Sequence, residues 1–193
     1  MRGLLAGSLV VVLCMTRAFA ADSPDTIRMA YAMREAVNDP SGTQVKSLLK
    51  AGFPPNHPIG CGTFDALDAA VARQNAAAVG VLLRYGAHPK PETFVDAAFL
   101  SSEPASLSIL KQFLAVGADV NSVRVYRPKP SMTWTALDQA VWRQHAVVVK
   151  WLLAQRGIEV NVVNGDRQTP LMIAREKGDP GIIAMLVAAG ARE

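Results

Sequence analysis

Thr169-Pro170-Leu171-Met172-Ile173-Ala174 opens a segment that runs through Gly178 and the apolar stretch Ile182-Ile183-Ala184-Met185-Leu186-Val187 to Gly190-Ala191. The same succession is written three more times upstream. Thr135-Ala136-Leu137-Asp138-Gln139-Ala140 leads to Val147-Val148-Val149-Lys150-Trp151-Leu152-Leu153, then Gly157 and Val160-Asn161. Asp65-Ala66-Leu67-Asp68-Ala69-Ala70 leads to Leu82-Leu83-Arg84-Tyr85-Gly86-Ala87. Thr93-Phe94-Val95-Asp96-Ala97-Ala98 leads to Gly117-Ala118-Asp119-Val120-Asn121. A unit this short cannot bury its apolar face alone, so copies of it stack and share one continuous core.

Each position in the pattern has a physical job. Thr at the start can cap a first helix by accepting a backbone N–H bond. Pro170 stands in the first helical turn, where its missing N–H costs little. Ala70, Ala98, Ala140 and Ala174 are small where neighbouring helices must approach closely. The second helix shows apolar spacing at Val79, Leu82 and Leu83, and again at Val148, Val149, Leu152 and Leu153. Gly86, Gly117, Gly157 and Gly190 are expected to close that helix as left-handed residues. A short extended finger then leads to the next unit.

The starts at 65, 93, 135 and 169 are spaced by 28, 42 and 34 residues. These segments resemble the ankyrin repeat: Thr-Pro-Leu-His-x-Ala, a Gly ten positions in, a Val/Leu-rich second helix, then Gly-Ala-Asp-Val-Asn. Thr169-Pro170-Leu171 and Gly117-Ala118-Asp119-Val120-Asn121 stand closest to that pattern. A weaker unit precedes them, with Ala32 to Val37 as first helix and Val45 to Gly52 as second helix and stop. It looks like an N-terminal cap. The resemblance covers Thr26 to the C-terminus. It implies an all-α ankyrin-repeat solenoid of about five helix-turn-helix units with β-hairpin-like fingers. The units fall at about 26–56, 57–90, 91–121, 122–161 and 162–193, within a repeat domain of residues 21–193.

Residues 1–20 read as a signal peptide. Arg2 is a short basic start, Leu4 to Met15 is apolar, and Ala18-Phe19-Ala20 is a small-x-small cleavage site. Cleavage after Ala20 would place the protein in the periplasm or outside the cell. An uncleaved anchor and, through Cys14, a lipoprotein are the alternatives. No later segment reaches the ~20 apolar residues of a membrane span. Losing Arg2 and Arg17 leaves 18 Lys and Arg against 16 Asp and Glu, a net charge of +2 instead of +4. That charge is too small and scattered to imply nucleic acid. Cys61 would stand alone in the mature chain, so no internal disulfide can form.

No catalytic constellation emerges. His57 and His88 lie beside prolines, and His145 sits at an inter-helix turn, where a turn-stabilising side chain is expected. No His pair has metal spacing, and one thiol makes no zinc pattern. Asp68, Asp96 and Asp138 recur at one repeat position, which suits a structural role at a helix start. There is no Gly-rich phosphate loop and no Gly-x-Ser-x-Gly elbow. The reading is therefore non-enzymatic, with no cofactor and no metal. An enzyme using Cys61 or an acidic pair is the competing class.

Surface recognition remains. Two stretches run longer than the family pattern: Ser101 to Ser106 between two helices, and the finger from Ser122 to Met132. Insertions in such stacks map to loops, often on the binding face. The resemblance implies a concave face lined by fingers and first helices. On it fall Phe64, Glu92, Trp134 and Gln168 on fingers, and Ala72, Arg73, Trp142, Arg143, Glu176 and Lys177 at first-helix ends. The long finger adds Arg124, Tyr126, Arg127 and Lys129, a positive projection suited to an acidic patch. Trp, Tyr and Arg are the types enriched at binding hot spots. Phe64, Arg73, Arg124, Tyr126, Arg127, Trp134, Trp142 and Arg143 are the candidate partner-binding residues. For the two Trp there is an alternative: Trp134 folded against a neighbouring finger, and Trp142 filling a groove. The expectation is an exported, monomeric protein that binds another protein. An immunity-type inhibitor of a toxin and a structural or stress-protective envelope component are the other readings.

Overall fold

A computed structural model describes residues 22–60, 62–100, 102–126 and 133–192. The leader at 1–20, Cys61, Arg127 and Lys129 lie outside the described residues. Among those described, the chain forms ten helices and one two-stranded sheet. In chain order these are α1 (Pro24–Ala36), α2 (Thr43–Lys50), α3 (Ala66–Ala72), α4 (Ala76–Arg84), α5 (Pro91–Ala98) and α6 (Glu103–Ala115). There follow β1 (Val123–Val125), β2 (Thr133–Thr135), α7 (Ala136–Trp142), α8 (Ala146–Leu153), α9 (Pro170–Lys177) and α10 (Pro180–Ala188). The chain divides between His88 and Pro89 into two compact bodies.

In the N-terminal body α1 packs on α2 and α3 on α4, with α1 against α3 and α2 against α4. Met33, Val37, Val45, Leu67, Val79 and Leu82 form its core, each almost fully buried. In the C-terminal body α5, α7 and α9 make one row, and α6, α8 and α10 make a second row behind it. Phe94 and Phe113 meet there with ring centroids 6.3 Å apart. Leu137, Val148, Leu152, Ile173, Ile182 and Leu186 continue that core. Ala98, Ala140 and Ala174, one on each first-row helix, are fully buried. A larger side chain there would push the row apart.

The caps explain where the helices start. Asp65 accepts from the N–H groups of Leu67 (2.9 Å) and Asp68 (3.0 Å), and Asp68 accepts in return from the Asp65 N–H at 3.1 Å. Thr135 and Asp138 close the same reciprocal box on α7. Thr169 caps α9 by accepting from the Met172 N–H at 3.3 Å. Thr93 departs from this expectation. Pro91 occupies the first position of α5, where its fixed φ suits a helix start, so the helix begins a few residues early. Thr93 is then buried inside the helix. Asp96 no longer stands at the third helical position that Asp68 and Asp138 occupy.

Gly86, Gly117 and Gly190 close their helices at φ +87° each, as expected. Across them the Ala87, Ala118 and Ala191 N–H groups donate to Leu82, Phe113 and Leu186 carbonyls at 3.0–3.1 Å. Gly157 does not cap: α8 stops at Leu153 with Ala154 as its C-cap, and Gly157 lies in the loop beyond. Of the insertion at 101–106, Ser101 lies outside the described residues, Ser102 caps α6, which runs 13 residues, and Glu103 to Ser106 form its first turn. Glu103 then accepts from the Val147 N–H at 2.7 Å and the Val148 N–H at 3.4 Å. This carboxylate caps α8, where a negative charge is favoured. His145, expected to stabilise that turn, stands at the N-cap without a side-chain cap bond.

Asparagines tie successive units together within each body. Asn121 donates to the Gly157 carbonyl (2.8 Å) and accepts from the Glu159 N–H (2.9 Å). Asn161 clasps Gly190 and Arg192 in the same way, and Asn56 clasps Gly86 and His88. Asn121→Ala removes both bonds of one clasp. It should lower stability by about 1–2 kcal/mol, seen as a lower urea midpoint with an unchanged slope.

Candidate partner-binding face

β1 and β2 build the long finger as an antiparallel pair, with Arg124 opposite Trp134. Trp134 is only 9% exposed, and its indole N–H donates to Asp166 Oδ2 at 3.3 Å. Asp166 belongs to the following finger, which is joined to this one by a Gly165 N–H bond to the Thr133 carbonyl at 3.0 Å. Trp134 therefore packs within the finger stack, the intramolecular one of its two readings. Its large apolar ring is worth more buried there than exposed.

Arg124 is not a free positive projection. Its Nη1 forms an ion pair with Asp96, and its guanidinium lies 4.9 Å from the Tyr126 ring centroid. Asp96 stands at the sixth position of α5, beyond the first turn. The Tyr126 hydroxyl accepts from Gln139 Nε2 at 2.6 Å, and Gln139 is buried on α7. Burial holds the Tyr126 phenol above its ordinary range, and the nearby Asp96 charge adds to this, against Arg124 and Gln139. The finger is thus latched to the helices by Arg124 and Tyr126.

Asp138 lies fully buried at the root of the finger. Burial raises its pKa to about 6, against the lowering effect of the Thr135 N–H and hydroxyl bonds to Oδ2. Its Oδ1 is buried without a partner among the described residues. Burial also holds His145 below its usual range, with Arg143 adding to that and Glu103 opposing it.

The exposed face lies at the ends of the first-row helices. Trp142, at the end of α7, is 39% exposed and tilts against Phe99, just past α5, with centroids 5.7 Å apart. Arg143 lays its guanidinium 4.0 Å over the Phe99 ring and donates from Nε to the Phe99 carbonyl at 2.9 Å. Lys177, at the end of α9, places Nζ 4.1 Å over the Trp142 ring. Gln144 donates to the Lys177 carbonyl at 3.0 Å. Cation–π contacts of this kind are worth about 0.5–2 kcal/mol each. The result is a ledge in the order Arg143, Phe99, Trp142, Lys177, spanning three units. Phe99 was not among the sequence candidates. It stands at a helix end because α5 stops at Ala98, two repeat positions earlier than α7 stops, which the pattern around Thr93 conceals.

In the N-terminal body Phe64 is 40% exposed on a short finger, its carbonyl accepting from the Ile59 N–H at 2.9 Å. Arg73 is exposed at the C-cap of α3. Among the described residues no group of three His, Cys, Asp or Glu could hold a metal ion. No described helix is long and apolar enough to cross a membrane.

Residues 97–192 match the family model for ankyrin repeats, described as three copies. That stretch of the chain consists of ankyrin repeats. The chain is also similar to glycerophosphocholine phosphodiesterase gde1 of Schizosaccharomyces pombe (strain 972 / ATCC 24843), at 31% identity over 123 residues. The match takes in 62% of this chain and is confined to its repeat region. The chain spans about a tenth of the length of that relative.

Trp134→Ala should cost about 3 kcal/mol of stability, as for a large buried aromatic. Thermal unfolding checks this, with a lower midpoint at unchanged starting helicity. Asp138 sets a pH dependence. Its folded pKa of about 6 lies above the 3.8 of an ordinary aspartate, so its contribution is full below about pH 4 and lost as pH rises through 6. Comparing urea unfolding of Asp138→Asn with the parent from pH 4 to 7 should show a relative gain for the variant of up to about 3 kcal/mol.

Proposed function

We propose that this chain is an exported, non-enzymatic scaffold that holds a partner protein on the face made by its first-helix ends and fingers. The observation that carries the reading is the Arg143–Phe99–Trp142–Lys177 ledge. Two large rings stand about two-fifths exposed, side by side and clamped by cations. Such preordered aromatic and Arg groups bury much area at little ordering cost, which is what binding hot spots require. Ankyrin repeats elsewhere in biology typically serve protein binding, which agrees with this. The phosphodiesterase similarity falls on repeats and so lends no catalytic group to this chain.

Export rests on the leader pattern ending at Ala18-Phe19-Ala20. The mature chain would begin at Ala21, one residue before Asp22. Asp22 Oδ1 lies 3.2 Å from His57 Nε2 in the N-terminal body.

Affinity capture from the native envelope fraction tests the reading. The parent chain, recovered with Ala21 as its first residue by intact mass, should retain a stoichiometric protein. A Phe99→Ala/Trp142→Ala variant of unchanged helicity should lose it. Equal capture by both would place the interface on another surface. A chain found only in the cytoplasm with its leader intact would end the export reading.

A further inference from the structure

The ledge makes a chemical demand that partner binding alone does not specify. Arg143 spends Nε on the Phe99 carbonyl, and Lys177 rests its ammonium on the Trp142 ring. Neither has a carboxylate within ion-pair distance among the described residues. The acids nearest them in the chain are engaged elsewhere: Asp138 is bound by Thr135, Glu176 accepts from Gln168 Nε2 at 2.9 Å and Asp179 accepts from the Ile182 N–H at 3.0 Å. Glu103 is bound by the Val147 and Val148 N–H groups.

The cations also recur. Arg73, Arg143 and Lys177 each immediately precede the left-handed residue that ends a first helix: Gln74, Gln144 and Gly178. A helix C-terminus favours a cation, and that accounts for the repeated charge. It does not account for two exposed rings set between two of those cations. A ring pair in water loses nothing by being covered, and a cation already held over a ring is placed to receive an anion at little entropic cost.

We infer that the ledge takes an acidic segment of the partner protein in which two carboxylates flank one or two apolar side chains. The carboxylates meet Arg143 and Lys177, and the apolar part covers Phe99 and Trp142. Arg143 receives its carboxylate through the guanidinium nitrogens left free by the Phe99 bond. This rests on the partner-binding reading and relocates the acidic preference from the long finger, where Arg124 is neutralised by Asp96.

A display selection of random peptides of about 12 residues against the purified protein tests it. Enriched peptides should share an acid–apolar–acid core. One of them, labelled and titrated by fluorescence anisotropy, should bind at least ~10-fold more weakly to Arg143→Gln/Lys177→Gln. Arg143→Lys, which keeps the charge, should retain most of the affinity. Raising salt from about 50 to about 300 mM should weaken binding several-fold. No enrichment, or enriched peptides without carboxylates, would overturn the inference. If such neutral peptides still lose binding with Phe99→Ala/Trp142→Ala, the partner-binding reading survives and only the acidic preference falls. If every variant binds alike, binding lies elsewhere and both fail.

Discussion

Helices of seven to nine residues are too short to persist alone in water, and eight of the ten here are of that length. Each exists because a neighbouring unit covers its apolar side. In the C-terminal body this requires α5, α7 and α9 to lie close, and Ala98, Ala140 and Ala174 make that approach possible. Everything else follows from keeping those contacts in register. Capping boxes fix where the helices start, glycines fix where most second helices stop, and asparagine clasps tie the loop of one unit to the next. These are local devices acting on a nearest-neighbour core, as expected where stability sums over adjacent repeats.

The same constraint builds the candidate site. Short helices laid in a row bring their C-terminal residues side by side at a fixed spacing. Phe99, Trp142 and Lys177 come from three different units and are distant in sequence, yet form one ledge. A cation over each ring restricts ring motion. The finger residues are used differently. Trp134, Arg124 and Tyr126 spend their polar groups on Asp166, Asp96 and Gln139, so they anchor the finger.

One substitution in the repeat pattern has consequences across a whole unit. Pro91 starts α5 early, so Thr93 and Asp96 stand inside the helix and not at its N-cap and third position. Asp96 becomes the partner of Arg124, and the position where α5 ends places Phe99 beside Trp142. An inserted stretch in the same unit lengthens α6 and delivers Glu103 to the next second helix. Departures from a repeat pattern thus reappear as contacts with the following repeat.

The sequence by itself determined the repeating helix pairs, the capping roles of Thr135 and Thr169, the small residues of the first row and the stops at Gly86, Gly117 and Gly190. All of these are set within one unit by local hydrogen bonding and steric fit. It also placed Trp142, Arg143 and Lys177 at exposed helix ends. Only the tertiary structure decided that Trp134 is buried, that Arg124 is neutralised and that Phe99 completes the ledge. Those outcomes depend on which side chain from the next unit arrives within a few ångströms. Repeat periodicity is silent on that point, because it aligns backbones and leaves the pairing of individual side chains to packing.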